Sequence, residues 1–250
     1  MIKVSIITAV HNRVNTILQA IESIDFQSYP KSYVQHIIID GASDDGTLNL
    51  LKGVLNPNSL LISEPDGGIY EALNKGILFA DGDIIGLMHS DDFYSDNEVI
   101  TDVVSIFSDP EVDLVYGDLQ YVARNNTKRV IRNWLSGEFK KNKIKWGWMP
   151  PHPTVFVRRS FINRVGVFDE RYRISADYDW ILRCLTNKKV KVKYINRVLI
   201  KMRIGGESNS SLKKIFTKIV EDYHCINRNH VGGVITLITK NLRKVFQFRL

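Results

Sequence analysis

Apolar runs recur along the first half of the chain at Lys3–Val10, Gln35–Asp40, Ser59–Ser63, Asp83–His89 and Val112–Tyr116. Short, nearly continuous runs of this kind predict strands buried on both faces. Helical periodicity lies between them, near Val14–Ser28, Gly46–Leu55, Tyr70–Phe79 and Asn97–Phe107. Strand and helix alternation predicts right-handed crossovers and an α/β, Rossmann-like architecture with a mostly parallel sheet flanked by helices. After Gly117 the pattern changes to more polar strands, Leu119–Arg124 and Lys128–Asn133, and then to a Trp-, Gly- and Pro-rich loop from Trp146 to Pro153. We expect one domain over residues 1–210, with halves meeting near residue 117, and a separate helical tail over 211–250.

That tail carries two apolar stripes at helical spacing: Ile215, Phe216, Ile219, Val220 and Tyr223, then Ile235, Ile238, Leu242, Val245 and Phe246. Gly232-Gly233 separates them, and Lys and Arg occupy the other faces. Such C-terminal amphipathic helices either pack on the domain or lie on a membrane surface, and periodicity does not choose between the two.

Charge sharpens the division. Residues 1–180 hold 18 Lys+Arg against 24 Asp+Glu, a balance of −6, whereas residues 181–250 hold 16 against 3, a balance of +13. The basic end suits anionic lipid, nucleic acid or an acidic substrate. No nucleic-acid-binding motif accompanies it, so nucleic acid is not expected as a partner. The two cysteines, Cys184 and Cys225, make no disulfide framework and no metal-ligand spacing. With no signal-like segment and no run long enough to span a bilayer, a cytoplasmic protein is expected, possibly peripheral at the inner face of the plasma membrane.

The candidate chemistry lies where the predicted strands end, the edge at which open α/β sheets bind ligands. Asp40 closes the second strand before a Gly41–Thr47 turn. The third strand runs into Glu64-Pro65-Asp66-Gly67-Gly68-Ile69-Tyr70, where paired glycines admit a ligand and a helix begins, carrying Asn74 and Lys75. The fourth delivers Asp91-Asp92, adjacent carboxylates that suit Mg²⁺ or Mn²⁺, although either could cap a helix. No G-x-G-x-x-G follows the first strand and no P-loop is present. Sugar nucleotidyltransferases place a Gly-rich, Arg-bearing loop where Thr8-Ala9-Val10-His11-Asn12-Arg13 stands here, which leaves them a minor alternative.

Five segments in order, Val4–Arg13, Ile37–Thr47, Glu64–Gly76, Gly82–Gly86 and Ser90–Asp92, resemble the family-two glycosyltransferases of the GT-A fold. The resemblance continues through Pro151–Thr154 and Phe168–Glu170 to Ala176–Trp180, so it covers about residues 3–205. It implies an inverting enzyme that moves a sugar from a nucleotide sugar, expected to be a UDP-sugar, to a hydroxyl of a glycan or lipid-linked acceptor in bacterial polysaccharide biosynthesis. On this reading residues up to about 117 bind the nucleotide sugar and 118–210 the acceptor. The other class of reading is a non-catalytic nucleotide-sugar-binding protein on the same scaffold.

The resemblance also implies roles. Asp40 and Asp66 fall by the nucleobase, and Thr8, Asn12, Arg13, Tyr70, Asn74 and Lys75 fall on nucleotide-sugar-binding segments. Asp91-Asp92 match the D-x-D-type motif. Because adjacent side chains on an extended chain point to opposite faces, Asp92 is assigned to the metal and Asp91 to the ribose. Asp177 matches the catalytic base, with Asp179 as fallback, and Ala176 replaces a usual Glu. Gly41 stands where a second Asp often follows. His152 is placed to reach the metal or diphosphate, or else to pack with Trp146 and Trp148. Arg203, with Gly205, Gly206 and Ser208, is a candidate lid over the phosphates.

Overall fold

A computed structural model of the protein describes residues 1–56, 58–205 and 212–246; Gly206 and Ser208 lie outside the described residues, as do the side chains of Val245 and Phe246. Strands β1 (Val4–Val10), β2 (Val34–Asp40), β3 (Ser59–Ser63) and β4 (Ile84–Leu87) are parallel, in the spatial order β3-β2-β1-β4. Helices α1 (Ile17–Asp25), α2 (Thr47–Val54) and α3 (Ile69–Phe79) connect them. Beyond β4 the sheet continues through β8 (Phe156–Arg158), β6 (Leu114–Ala123), β9 (Val192–Arg203) and β5 (Asp92–Tyr94), with β7 (Asn126–Trp134) hairpinned onto β6. β8 is the antiparallel seam, while β6 and β9 run parallel to each other.

Alternation along the inner strands explains why both faces are apolar. Ile7, Ala9, Ile37, Ile39, Ile85 and Leu87 enter one core with α3, α5 (Arg159–Val165) and α6 (Ala176–Thr186). Val4, Ile6, Val10, Ile38 and Ile84 enter the other with α1, α2 and α4 (Val99–Phe107). The expected α/β architecture is therefore present. Two boundaries differ from expectation. β6 runs on past Gly117 with a register shift, as one strand rather than two. The Asp91-Asp92 pair does not close β4: the chain turns after Leu87, and Asp92 opens β5, where it pairs with Met202 of β9.

The C-terminal helices α7 (Leu212–Arg228) and α8 (Val234–Phe246) pack against α6 and the 3-10 turn at Lys141–Trp146. Their inward contacts combine apolar side chains, Cys225 and Ile226 in the core and Leu237 against it, with a buried polar cluster. Lys240 on α8 is 5% exposed and pairs at 2.5 Å with the buried Asp222 on α7, its ammonium 3.5 Å from the Tyr178 ring centroid. Burial pulls the Lys240 pKa down, and Asp222 opposes that shift. Thr236 Oγ1 donates to the Lys145 carbonyl at 2.8 Å. Gly147 makes this approach possible: its φ is +70°, and a Cβ there would stand 2.5 Å from the Lys240 backbone.

Gly147→Ala is accordingly expected to destabilise the fold by about 2 kcal/mol or more, through a left-handed backbone and an overpacked contact; a lower denaturant midpoint with α8 loosened in hydrogen exchange is the measurement. A second expectation concerns pH. His36 is buried against Thr8 Oγ1 at 3.0 Å, and desolvation lowers its pKa to about 3. An unfolded histidine titrates near ~6.5, so as pH falls the unfolded chain takes up the proton first. Stability should fall between about 6.5 and about 3, and His36→Gln should flatten that part of a pH–denaturation profile.

Candidate active site

Two cavities meet at the strand ends. The larger, about 580 Å³, lies over the C-terminal ends of β1, β3 and β4 and takes its walls from His11, Asn12, Arg13, Asp66, Tyr70 and Asp91, among others. The second, about 320 Å³, is bounded by Tyr121, Arg132 and Trp134 of the β6–β7 hairpin and by Lys218 and Lys240 of the C-terminal helices. His152, Ile174, Asp177 and Met202 belong to both walls.

Asp177 stands on the first turn of α6, where the helix dipole and free N–H groups favour an anion. One carboxylate oxygen accepts from the Tyr178 N–H at 2.8 Å and from the Tyr70 hydroxyl at 3.3 Å, and the other lies 2.9 Å from His152 Nδ1. Burial pushes this carboxyl up, but His152, Lys218 and Lys240 together outweigh that and hold it below the usual carboxylate range. It is therefore an anion at neutral pH. His152 Nε2 in turn lies 2.7 Å from His89 Nε2, the two rings edge to face. Desolvation lowers His89 to about 3, so His89 is the neutral end of the chain His89–His152–Asp177. His89 was not among the sequence candidates; its position two residues before Asp91 was read as strand end.

Asp91 faces the cleft and Asp92 does not. Asp92 is fully buried, lines neither cavity, and both its carboxylate oxygens lack hydrogen-bond partners. Burial first, and the Asp91 charge second, raise its pKa well above the usual carboxylate value. Of the pair, Asp91 rather than Asp92 is thus the one that reaches the cleft. Among the described residues no cluster of three His, Cys, Asp or Glu side chains encloses a metal site. A divalent ion carried on a diphosphate needs only one or two protein carboxylates, and Asp91 meets that requirement.

Several sequence candidates turn out to be structural. Thr8 is fully buried against His36. Asn74 uses its amide to fasten Phe168 and Glu170 to α3. Lys75 is paired with Glu64 at 2.8 Å and Glu71 at 2.9 Å, outside both cavity walls. Arg203, at the end of β9, binds the Asp91 carbonyl and Gln19, which braces the turn, and it also lines the smaller cavity. Asp179 is fully buried in bonds to Arg183 at 2.8 Å and Asn229 at 3.0 Å, with no path to either cavity. Asp40 is also fully buried, accepting from Ser43 and Ser63, and so shapes the turn beside the cleft. Trp148 is core, bonded to the Ser136 carbonyl, while Trp146 is exposed. Asn12, Arg13, Asp66, Tyr70 and Asp91 do line the larger cleft, and Arg173 and Lys214 join them.

A doubly covered α/β sheet with acids and cations gathered at its parallel strand ends is a ligand-binding scaffold of the doubly wound class. The chain matches glycosyl transferase family 2 over residues 5–171 and belongs to that family. A PGL/p-HBAD biosynthesis glycosyltransferase of Mycobacterium bovis is 29% identical over 187 residues, covering 73% of this chain and 70% of the relative. Among solved structures, Staphylococcus aureus TarS (residues 1–349, with UDP-GlcNAc) superposes with a TM-score of 0.70 at 18% identity, over 92% of this chain and 66% of that one. The mannosyltransferase PcManGT of Pyrobaculum calidifontis, with GDP-Man and Mn²⁺, gives 0.69 at 16% identity, over 98% and 74%. These likenesses establish the GT-A fold.

Truncating Asp179 would leave Arg183 without its buried partner, so Asp179→Ala should cost about 3 kcal/mol of stability. Thermal unfolding of this variant beside Asp177→Ala checks the structural assignment, the latter expected to lose much less.

Proposed function

We propose that this chain is an inverting glycosyltransferase that moves a sugar from a nucleotide sugar, a UDP-sugar by preference, to a hydroxyl of a glycan or lipid-linked acceptor. The observation that carries the reading is the position of Asp177, one ionised carboxylate in the wall common to two cavities. A base so placed reaches a hydroxyl entering from the smaller cavity while the donor occupies the larger. A nucleoside diphosphate leaves as an anion, so attack on the opposite face of the sugar needs one base and no covalent intermediate. Inversion follows from a single displacement.

In this reading Asp66, Asn12 and Arg13 hold the nucleoside side of the donor, and Tyr70 and His152 fix the Asp177 carboxylate. Asp91 is the residue that would hold a divalent ion, Mn²⁺ or Mg²⁺, on the diphosphate. When bound, such an ion supplies positive charge to the departing phosphate. Donor chemistry is supported by the UDP-GlcNAc and GDP-Man complexes of the two similar folds, and the acceptor class by the biosynthetic relative.

Release of nucleoside diphosphate from a panel of UDP- and GDP-sugars, with Mn²⁺ or EDTA, tests the reading. Asp177→Asn should cost about 10² to 10⁴ in transfer rate while donor binding persists. Asp91→Asn should abolish the Mn²⁺-dependent part of donor binding. Asp92→Asn, isosteric and outside both cavities, should retain most activity. Tight donor binding with no turnover under any of these conditions would leave a binding protein instead.

A further inference from the structure

Helices α7 and α8 are apolar on two sides. Toward the domain they bury Cys225 and Ile226, with Leu237 packed against the same core, together with Asp222, Thr236 and Lys240. On the outer side Phe216 is 69% exposed and Ile235 67%, and Ile219, Tyr223, Ile238 and Leu242 are each more than a third exposed. On each helix these outer positions repeat at three- or four-residue spacing, so each presents one apolar stripe. The domain does not cover this second, outer stripe. Something outside the described chain must cover the stripes, since contiguous exposed apolar surface marks an interaction site.

Charge identifies the occupant. Around the stripes stand exposed cations: Lys213 on α7, Arg243 on α8, and Lys140, Lys141 and Lys145 around the 3-10 turn on which α8 rests. The exposed Trp146 lies at the same edge, its carbonyl accepting from Arg243 Nε at 2.9 Å. Of the acids of α7, Asp222 is buried in its bond to Lys240, and Glu221 is turned to the backbone of Arg173–Ser175. A two-fold dimer through this face would set the same basic rim against itself. Apolar stripes bordered by Lys, Arg and Trp instead match an anionic interface.

We infer that the outer face of α7 and α8 docks on an anionic phospholipid bilayer. The placement has a consequence for access. α7 carries its apolar stripe outward while contributing Lys214 to the larger cleft and Lys218 to the smaller one, so a docked molecule holds both cavities beside the membrane surface. Docking is read without sugar transfer, and stands or falls separately from the enzymatic reading.

The full chain is sedimented with phosphatidylcholine vesicles and with mixed phosphatidylcholine–phosphatidylglycerol vesicles, at low and physiological salt. The expected result is binding to the mixed vesicles that weakens with salt, and little binding to the neutral ones. The double variant Phe216→Glu/Ile235→Glu changes only exposed positions; it should lose about tenfold or more in partitioning while its thermal unfolding is unchanged. Tryptophan fluorescence of Trp146 provides a second readout, blue-shifting with the mixed vesicles. Equal recovery of the parent chain in the supernatant with both vesicle types would overturn the inference. So would a concentration-dependent dimer, seen by analytical ultracentrifugation, that the double variant dissociates, since a second copy would then be the cover.

Discussion

The geometry of the site depends on how the chain is held just before α6. Glu221, from α7, accepts the backbone N–H groups of Arg173, Ile174 and Ser175, each at 2.9 Å. Its neighbour Asp222 accepts from the Ser175 hydroxyl at 2.8 Å. From the opposite side the Tyr70 hydroxyl of α3 donates to the Ile174 carbonyl at 2.6 Å. Donors at the entry to a helix have no intrahelical partners, and here α7 satisfies them. Asp177 follows within one turn, so its carboxylate is aimed by elements from both ends of the chain. Loss of α7 would free the segment that carries it.

This clamp explains why the C-terminal helices bury a polar cluster on the inside. The carboxylates that serve α6 need a counter-charge, and Lys240 supplies it within the same buried cluster, over the Tyr178 ring. Removing one member of such a pair leaves a buried charge uncompensated, at about 3–5 kcal/mol. With this buried polar cluster taking up much of the inner face, a second set of apolar residues is left on the outer side of both helices. Anchoring and exposed hydrophobicity are two results of one arrangement.

The alternation of strands and helices in the first half of the chain was legible because it follows from periodicity, which acts locally. The individual site residues were less so. Asp91 and Asp92 were recognisable as a pair, but which one faces the cleft is set by β5 pairing with β9, more than a hundred positions away in sequence. Asn74 and Lys75 sit on a helix that opens at the cleft, yet their partners Phe168, Glu170, Glu64 and Glu71 take them away from it. His152 became legible through Asp177 and His89, neither of which is near it in sequence. The stripes of the tail were visible, whereas their orientation was not, because the inward face mixes buried Asp222, Thr236 and Lys240 with Cys225 and Ile226 and so shows no clean apolar periodicity.

The two departures from the family pattern have physical counterparts in the fold. At Gly41 a Cβ would stand 2.8 Å from Asp66 Oδ2, so the glycine gives room to a carboxylate that reaches the same corner from the next strand. Ala176 is fully buried in the core at the start of α6. The carboxylates beside that helix start come from Glu221 and Asp222 instead, which are on α7. The part of the chain beyond the family match therefore supplies acids to the segment carrying Asp177, and a boundary at residue 210 would divide the site from one of its supports.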